Sequence, residues 1–249
     1  MSDSLIYQYP TLEAGILKRR YKRFFAEIEL HSGELITAHC PNTGPMTGLC
    51  LPGNPVQVSS HDNPKRKLKY TWEMIQVNDT QPTWVGVNTG LPNRVIRHLL
   101  ETQQLPELAH RYDTVRREVK YGKDNKSRID FLLTSESPDT PPIYLEVKSA
   151  TWVQGNLALF PDTVTTRGQK HLEDLMGVQP AAKAVILYFI NRGDCPTFAP
   201  GDRADPTYGK LLRQAHQQGV EVLPYRFAIT PQGISLLGLA EFCPQQPEE

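Results

Sequence analysis

The stretch SRIDFLLTSESPDTPPIYLEVKS, residues 127–149, decides how the second half of this chain is read. Two apolar runs of strand length, RIDFLL and IYLEVKS, flank a connection of Ser, Pro, Asp and Thr, which is turn chemistry. Alternate side chains of a strand share a face, so Ile129, Phe131 and Leu133 are expected to point one way and Asp130 and Leu132 the other. In the second run Leu145 and Val147 take the apolar face, while Tyr144, Glu146 and Lys148 take the opposite one. If the connection folds symmetrically about Pro138, residue 133 pairs with 143 and Asp130 falls opposite Glu146. Carboxylates directly across a strand pair repel unless something positive lies between them. A divalent ion does that: Mg2+ takes oxygen ligands, usually one or two carboxylates, with water and substrate phosphate completing its shell. Lys148 cannot ligate while protonated, but it can steady an attacking water or neutralise charge building on a phosphate. The expectation is therefore phosphodiester hydrolysis, with Asp130 and Glu146 holding Mg2+ or Mn2+ and Lys148 assisting. The competing reading is a Glu-x-Lys on an ordinary solvated strand face.

Outward from this stretch the chain divides in two. Between Leu17 and about Thr89 run five β-like segments, RFFAEIEL, LITAHC, NPVQVSS, LKYTWEMIQV and TWVGVNT, broken by turn residues. Their number and length suit a small barrel of the oligonucleotide-binding (OB) type. The texture changes at NTGLPNRVIRHLLETQQ, where Pro92 sits near a helix start and Val95, Ile96, Leu99 and Leu100 fall at helical spacing. Beyond it, TVRREVKY and the two strands above precede a helix TTRGQKHLEDLMG, a buried strand AVILYFI, a helix PTYGKLLRQAHQQG, and the strands VEVLPYRFAI and GISLLGLAEF. That order predicts a mixed sheet flanked by helices, in an α/β two-domain chain with an OB-like barrel over 1–88 and the sheet domain over 89–249. The tail CPQQPEE reads as frayed.

Several further segments carry chemistry. FPDTVTTRGQKHL puts Thr165 or Thr166 at a helix N-cap with Arg167, Lys170 and His171 in the first turns, which suits an anion. Leu172, Leu175 and Met176 form the core face of that helix. LKRRYKRFF packs Lys18, Arg19, Arg20, Lys22 and Arg23 around Tyr21, and PKRKLKYTW repeats the mixture with Lys65, Arg66, Lys67 and Lys69. Cations interleaved with aromatics on a small barrel suit nucleic acid, the cations neutralising phosphates and the rings stacking on bases. HCPNTGPMTG has the composition of a tightly shaped loop, at a domain junction or a binding surface.

Composition excludes some classes. The 249 residues carry 27 Lys+Arg against 27 Asp+Glu, so this is no histone-like polycation. The four cysteines show no CxxC pairing and are read as reduced thiols. No apolar run approaches the roughly 20 residues that span a bilayer, and MSDSLIYQYP lacks a signal pattern; no membrane partner and a cytoplasmic location are expected.

Two resemblances follow from these residues. Asp130, a loop, then Glu146-Val147-Lys148 and a helix resemble the PD-(D/E)xK nuclease superfamily. More specifically, HCPNTGPMTGL, GVNTGLPNR, REVKYG, SRIDFLL, LEVKSATW and FPDTVTTRGQKHLEDL, in order from about Leu17 to Tyr225, are similar to the sugar fermentation stimulation protein A family. That resemblance implies an OB-like domain joined to a PD-(D/E)xK-like domain, sequence-non-specific DNA binding, and a part in regulating sugar, especially maltose, metabolism. It implies Asp130, Glu146 and Lys148 as the catalytic set. Many nucleases of the superfamily add an acid on the first helix and a glutamine or basic residue on the next; Glu101 or Glu118 would be the acid here, and Gln169 the glutamine. The alternative is a DNA-binding regulator whose nuclease-like domain is inactive. Oligomeric state is open, a homodimer included.

Overall fold

The structure, a computed structural model, describes residues 4–79, 81–122 and 126–245, so the end of the tail expected to fray, 246–249, lies outside the described residues. The first module is a six-stranded sheet of β2 (Leu12–Tyr21), β3 (Phe25–Leu30), β4 (Leu35–His39), β5 (Pro55–Ser60), β6 (Tyr70–Asn78) and β7 (Pro82–Gly86), in the order β4-β3-β2-β5-β6-β7. A parallel pairing of Ala38 with Tyr70 and His39 with Thr71 brings β4 back onto β6 and closes the sheet into a ring. Alternation fills its interior: Leu17, Ala26, Ile28, Val58, Trp72 and Ile75 are fully buried there.

The sequence expectation of five strands misses β2. Its second half reads as a run of cations, yet Leu17 is buried while Lys18 and Arg19 stay at the surface, so the segment is an amphipathic strand.

The second module is a seven-stranded mixed sheet in the order β1-β16-β15-β13-β10-β9-β8. Its strands are β1 (Leu5–Gln8), β8 (Thr114–Tyr121), β9 (Ser127–Thr134), β10 (Ile143–Ala150), β13 (Lys183–Ile190), β15 (Glu221–Thr230) and β16 (Gly233–Leu239). β10, β13 and β15 run parallel, and parallel neighbours need crossovers. The crossovers carry α2 (Thr166–Gly177) and α3 (Pro206–Gln217), together with β11 (Trp152–Gln154), β12 (Leu157–Phe160) and β14 (Thr197–Pro200), which form a small second sheet with β17 (Glu241–Phe242), beyond β16. Helix α1 (Pro92–Glu101) covers one face of the large sheet through Val95, Ile96, Leu99 and Leu100. Helices α2 and α3 cover the other face through Leu172, Leu175, Tyr208 and Leu212. β13, buried on both faces, is accordingly apolar from Ala184 to Ile190.

One boundary differs from the sequence reading. Residues 5–8 do not belong with the ring: β1 pairs antiparallel with β16, at the edge of the other sheet. The first module therefore begins at β2, after the chain has crossed from one sheet to the other.

Bonds across the junction hold the modules together. Gly86 N–H donates to Asn191 O (3.0 Å), Thr89 Oγ1 to Pro41 O (3.0 Å), Met46 N–H to Asp162 Oδ2 (3.1 Å), and Arg192 pairs with Asp79 (2.8 Å). The HCPNTGPMTG loop is thus a domain junction. Its shape comes from Arg20, whose guanidinium donates to the carbonyls of Asn42 (2.8 Å), Gly44 (2.9 Å), Arg23 (3.0 Å) and Pro45 (3.4 Å). All four cysteines are free thiols.

Candidate metal centre and nucleic-acid surface

The connection from β9 to β10 folds about Pro138 as its symmetry suggests. Leu133 pairs with Ile143, Leu132 with Tyr144 and Phe131 with Leu145, a register that sets Asp130 across from Glu146. Phe131, Leu133, Leu145 and Val147 pack under α1 as expected, but Ile129 does not join them; it packs with Leu132 on the α2 side. Alternation breaks at Asp130. On β8 the residue at that level, Glu118, is at φ 52, in the left-handed region, and the β9–β10 ladder stops at Phe131. The next β10 amide, Val147 N–H, is taken by the Asp130 carboxylate (2.8 Å to Oδ2). Asn93, in the first turn of α1, donates Nδ2 to Asp130 Oδ1 at 2.8 Å.

Glu146 is only 3% exposed, and its two oxygens differ sharply. Oε1 accepts from Lys148 Nζ at 2.7 Å and from His171 Nδ1. Arg167 Nε donates to His171 Nε2 (3.4 Å), and Arg has no acceptor; the ring proton of the neutral imidazole is therefore on Nδ1 and points at Glu146. Lys148 Nζ and His171 Nδ1, 3.0 Å apart, are then both donors converging on Oε1. Oε2 is buried without a hydrogen-bond partner.

The charges follow from this geometry. Burial first, and then the nearby Glu146 charge, push the Asp130 carboxyl up to about 6, against the pull of the Val147 N–H, Lys148 and Asn93. Burial also penalises ionised Glu146, but His171 and Lys148 outweigh it and hold that carboxyl below its usual range. The pair thus holds one settled carboxylate and one reluctant one.

A divalent ion fits these groups. A buried carboxylate oxygen without a donor is costly, and a cation between it and Asp130 would satisfy the oxygen and remove the repulsion at once. No third ligand from the acid side chains accompanies them: among the described residues no group of three His, Cys, Asp or Glu is arranged to hold a metal. Glu101 pairs with Arg97 at the exposed end of α1, and Glu118 is exposed, so Asn93 is the α1 residue that reaches the pair.

Helix α2 departs from expectation. Thr165 is its N-cap, accepting from Gly168 N–H at 3.1 Å. Gln169, expected beside the carboxylates, instead donates to both oxygens of Asp205 (3.0 and 2.9 Å), the N-cap of α3. Lys170 turns to Ser127 (2.7 Å) and Asp174 (2.6 Å). His171, expected on an anion-binding surface with Arg167 and Lys170, is 5% exposed and belongs to the carboxylate cluster. The reason is helical phase: Gly168, His171, Leu172 and Leu175 form one i, i+3, i+4, i+7 stripe facing the sheet, and residues 169 and 170 lie off it.

The cations of the first module are unevenly committed. Lys18 pairs with Glu29 (2.7 Å) and Arg19 with Glu27 (2.9 Å) across β2 and β3, and Arg20 is occupied by the junction loop. Lys22 and Arg23, at φ 48 and 63, make the tight β2–β3 turn and are exposed beside Phe24, itself 49% exposed. Lys65 and Lys67 are exposed in the β5–β6 loop, while Arg66 is half-buried and donates to Thr71 Oγ1 at 2.8 Å.

An OB-type ring fixed to a mixed α/β sheet that presents paired carboxylates and a lysine defines a two-module protein with a metal-ready site. Residues 19–87 match the family model described as the SfsA N-terminal OB domain, and residues 90–233 match the sugar fermentation stimulation protein RE domain. The chain belongs to the sugar fermentation stimulation protein (SfsA) family. It is 65% identical over 242 residues to the sugar fermentation stimulation protein homolog of Rippkaea orientalis, covering 97% of this chain and 98% of that one. The homolog from a Picosynechococcus species is 66% identical over 239 residues, covering 96% and 94%. A solved structure, described as Pyrococcus furiosus SfsA in complex with Ca2+, shares the fold with a TM-score of 0.85 at 23% identity, covering 96% of this chain and 99% of that one. No helix among the described residues is long and apolar enough to cross a membrane.

Proposed function

We propose that this protein binds DNA without sequence preference and hydrolyses phosphodiester bonds with Mg2+ or Mn2+ held by Asp130 and Glu146. The observation that carries this reading is Glu146 Oε2, a buried carboxylate oxygen with no donor in a pair whose other member is pushed up to about 6. The relative from Pyrococcus furiosus, described with Ca2+, supports a site for a hard divalent cation in this fold. Such an ion supplies charge neutralisation at the scissile phosphate and makes a water more acidic. The chain's own groups do the rest. His171 and Lys148 keep Glu146 ionised and fix its orientation through Oε1. Asn93 and the Val147 amide do the same for Asp130. Lys148, with its side chain 13% exposed, is the cation that reaches the solvent side of the pair, where it meets developing negative charge.

Just beyond Lys148 on β10, a cleft of about 190 Å3 opens between Ser149, Thr151 and Trp152 on one side and Asn42 and Gly44 of the junction loop on the other. A strand running through it would lie between the site and the first module. The exposed Lys22-Arg23-Phe24 turn offers that module two cations and a ring for backbone and base.

A second reading, a DNA-binding regulator of sugar metabolism with no cleavage, draws on the missing third acid and on Lys148, which already neutralises part of the pair's charge. Calorimetric titration with Mn2+, run beside a supercoiled-plasmid nicking assay, separates the two. Wild type should bind Mn2+ and nick in its presence, and Asp130→Asn should lose both while still binding DNA in EDTA. Equal nicking by both proteins would place the activity elsewhere, and no Mn2+ binding by wild type would leave the regulator.

A further inference from the structure

Away from the paired carboxylates, a cleft of about 760 Å3 opens where β5 and β6 of the ring meet β1 and the start of α1. Its floor is a polar group on strands that are otherwise apolar. Glu73, in the middle of β6, is 4% exposed, and the adjoining Ser59 and Thr71 are as deeply buried. Ser59 Oγ donates to Glu73 Oε1 at 2.6 Å and Asn88 Nδ2 donates to Oε2 at 2.7 Å. The single proton of Ser59 is committed to Glu73, so His61 Nε2, 3.3 Å from Ser59 Oγ, is the donor in that contact. Hydrogen bonds thus run from an exposed imidazole to a buried carboxylate, and each Glu73 oxygen keeps capacity for another donor.

The walls have the opposite sign. Arg66 and Arg94 line the cleft with His39 and His61. Arg66 uses one nitrogen on Thr71 Oγ1, and the Arg94 guanidinium lies over the Tyr7 ring, 5.8 Å from its centre, so its N–H edge stays available. A buried carboxylate is expensive to maintain in a strand interior. Here it is fixed by Ser59 of β5 and by Asn88 of the segment leading from β7 to α1, and faces an opening of ligand size, beneath cations suited to the several oxygens of a phosphate.

We propose that this cleft binds a small organic phosphate monoester, its phosphoryl group between Arg66 and Arg94 and its hydroxyl donors on Glu73. The site takes no part in the metal-dependent chemistry and stands or falls independently of it. The ligand is a ribose phosphate, whether free or as the 5′-terminal residue of an RNA strand; both present a phosphate monoester and a 2-hydroxyl, whereas a 5′-terminal deoxyribose in a strand keeps no free hydroxyl for Glu73.

Calorimetric titration of the full-length protein in EDTA with ribose 5-phosphate is the test, with inorganic phosphate and ribose as controls. Saturable binding of ribose 5-phosphate should weaken roughly tenfold or more in Arg94→Ala and in Glu73→Gln, since each variant removes one charged hydrogen-bonding partner. Arg94 is exposed, so its removal leaves the fold intact, and a thermal melt checks Glu73→Gln. The His39 and His61 ring proton signals should shift on titration. A 5′-phosphorylated oligoribonucleotide that displaces ribose 5-phosphate, where its 5′-hydroxyl twin does not, identifies the strand end as the source; failure of both to displace it identifies the free compound. No saturable binding up to roughly 10 mM would overturn the proposal. So would binding indifferent to Arg94→Ala, or inorganic phosphate binding as tightly as ribose 5-phosphate and indifferent to Glu73→Gln.

Discussion

Asp130→Asn should make the metal-free protein more stable at neutral pH. The folded protein holds the Asp130 carboxyl at about 6 against an ordinary 3.8, chiefly through burial and then through Glu146. Between those values the folded state binds the proton more tightly than the unfolded chain, so stability falls as pH rises through the window and levels off above about 6. At 1.4 kcal/mol per pH unit, the destabilisation at pH 8 is at most about 3 kcal/mol. Asparagine removes the ionisation and nearly preserves the local hydrogen bonding. Its carbonyl still accepts the Val147 N–H, and its amide can donate to Asn93 once the Asn93 side chain rotates to present its oxygen. For a chain of this size, about 3 kcal/mol corresponds to a Tm rise of roughly 6–12 °C at pH 8. The gain should shrink as pH falls below about 6 and vanish only below 3.8, where wild-type Asp130 is protonated in both states. The assay is a series of thermal melts of both proteins in EDTA from pH 4 to 8, repeated with Mn2+, which should stabilise wild type alone. A stability difference that does not change with pH, or a variant less stable at pH 8, would refute the reasoning.

His171→Leu removes a donor from Glu146 Oε1, so the Glu146 carboxyl should rise and the pH midpoint for Mn2+ binding should move upward, as read by calorimetry across pH 5 to 7.5. An unmoved midpoint would mean that Lys148 alone sets the charge. Arg20→Ala strips the donors from the junction-loop carbonyls and should cost about 1–3 kcal/mol, seen as a Tm loss of roughly 2–12 °C, with little change in the salt slope of DNA binding. Replacing Lys22 and Arg23 together should flatten that slope by about 0.7–0.9 for each phosphate that the turn neutralises in the wild type. Replacing Lys18 and Arg19, already paired with Glu29 and Glu27, should flatten it less; the reverse order would move the DNA surface off the β2–β3 turn.

What was legible in the sequence was local. The symmetric connection about Pro138 specifies the β9–β10 register, and with it the meeting of Asp130 and Glu146, because a hairpin's register follows from its turn. The three helices were legible from apolar spacing, Pro at the start of α1 and α3, and Gly beyond α3. The role of His171 was legible too, since it completes the stripe of Gly168, Leu172 and Leu175; reading it with its charged neighbours Arg167 and Lys170 obscured that phase. Long-range placement was not legible. Nothing in QKH shows that Gln169 meets Asp205 on α3, and no pattern in the β2 cations reveals the acidic partners on β3 that neutralise two of them. Glu73 left a faint signal, a single carboxylate amid YTWEMIQV, but its partner Asn88 lies beyond β7, and Tyr7 and Arg94, which complete the cleft above it, come from the other module.

The pairing of β1 with β16 sets an order of events during synthesis. Leu5 meets Ser235, so a strand near the beginning of this sequence waits for some 230 further residues before its partner exists. The ring, whose strands lie between Leu12 and Gly86, has all its partners close by and is complete long before that. Until β1 docks, β16 presents an unpaired edge to the cell, an invitation to any other extended segment. The last step of assembly is therefore also the one that removes the chain's most exposed hazard, and a polypeptide lacking residues 1–10 should fold its ring normally yet tend to associate through the edge left bare.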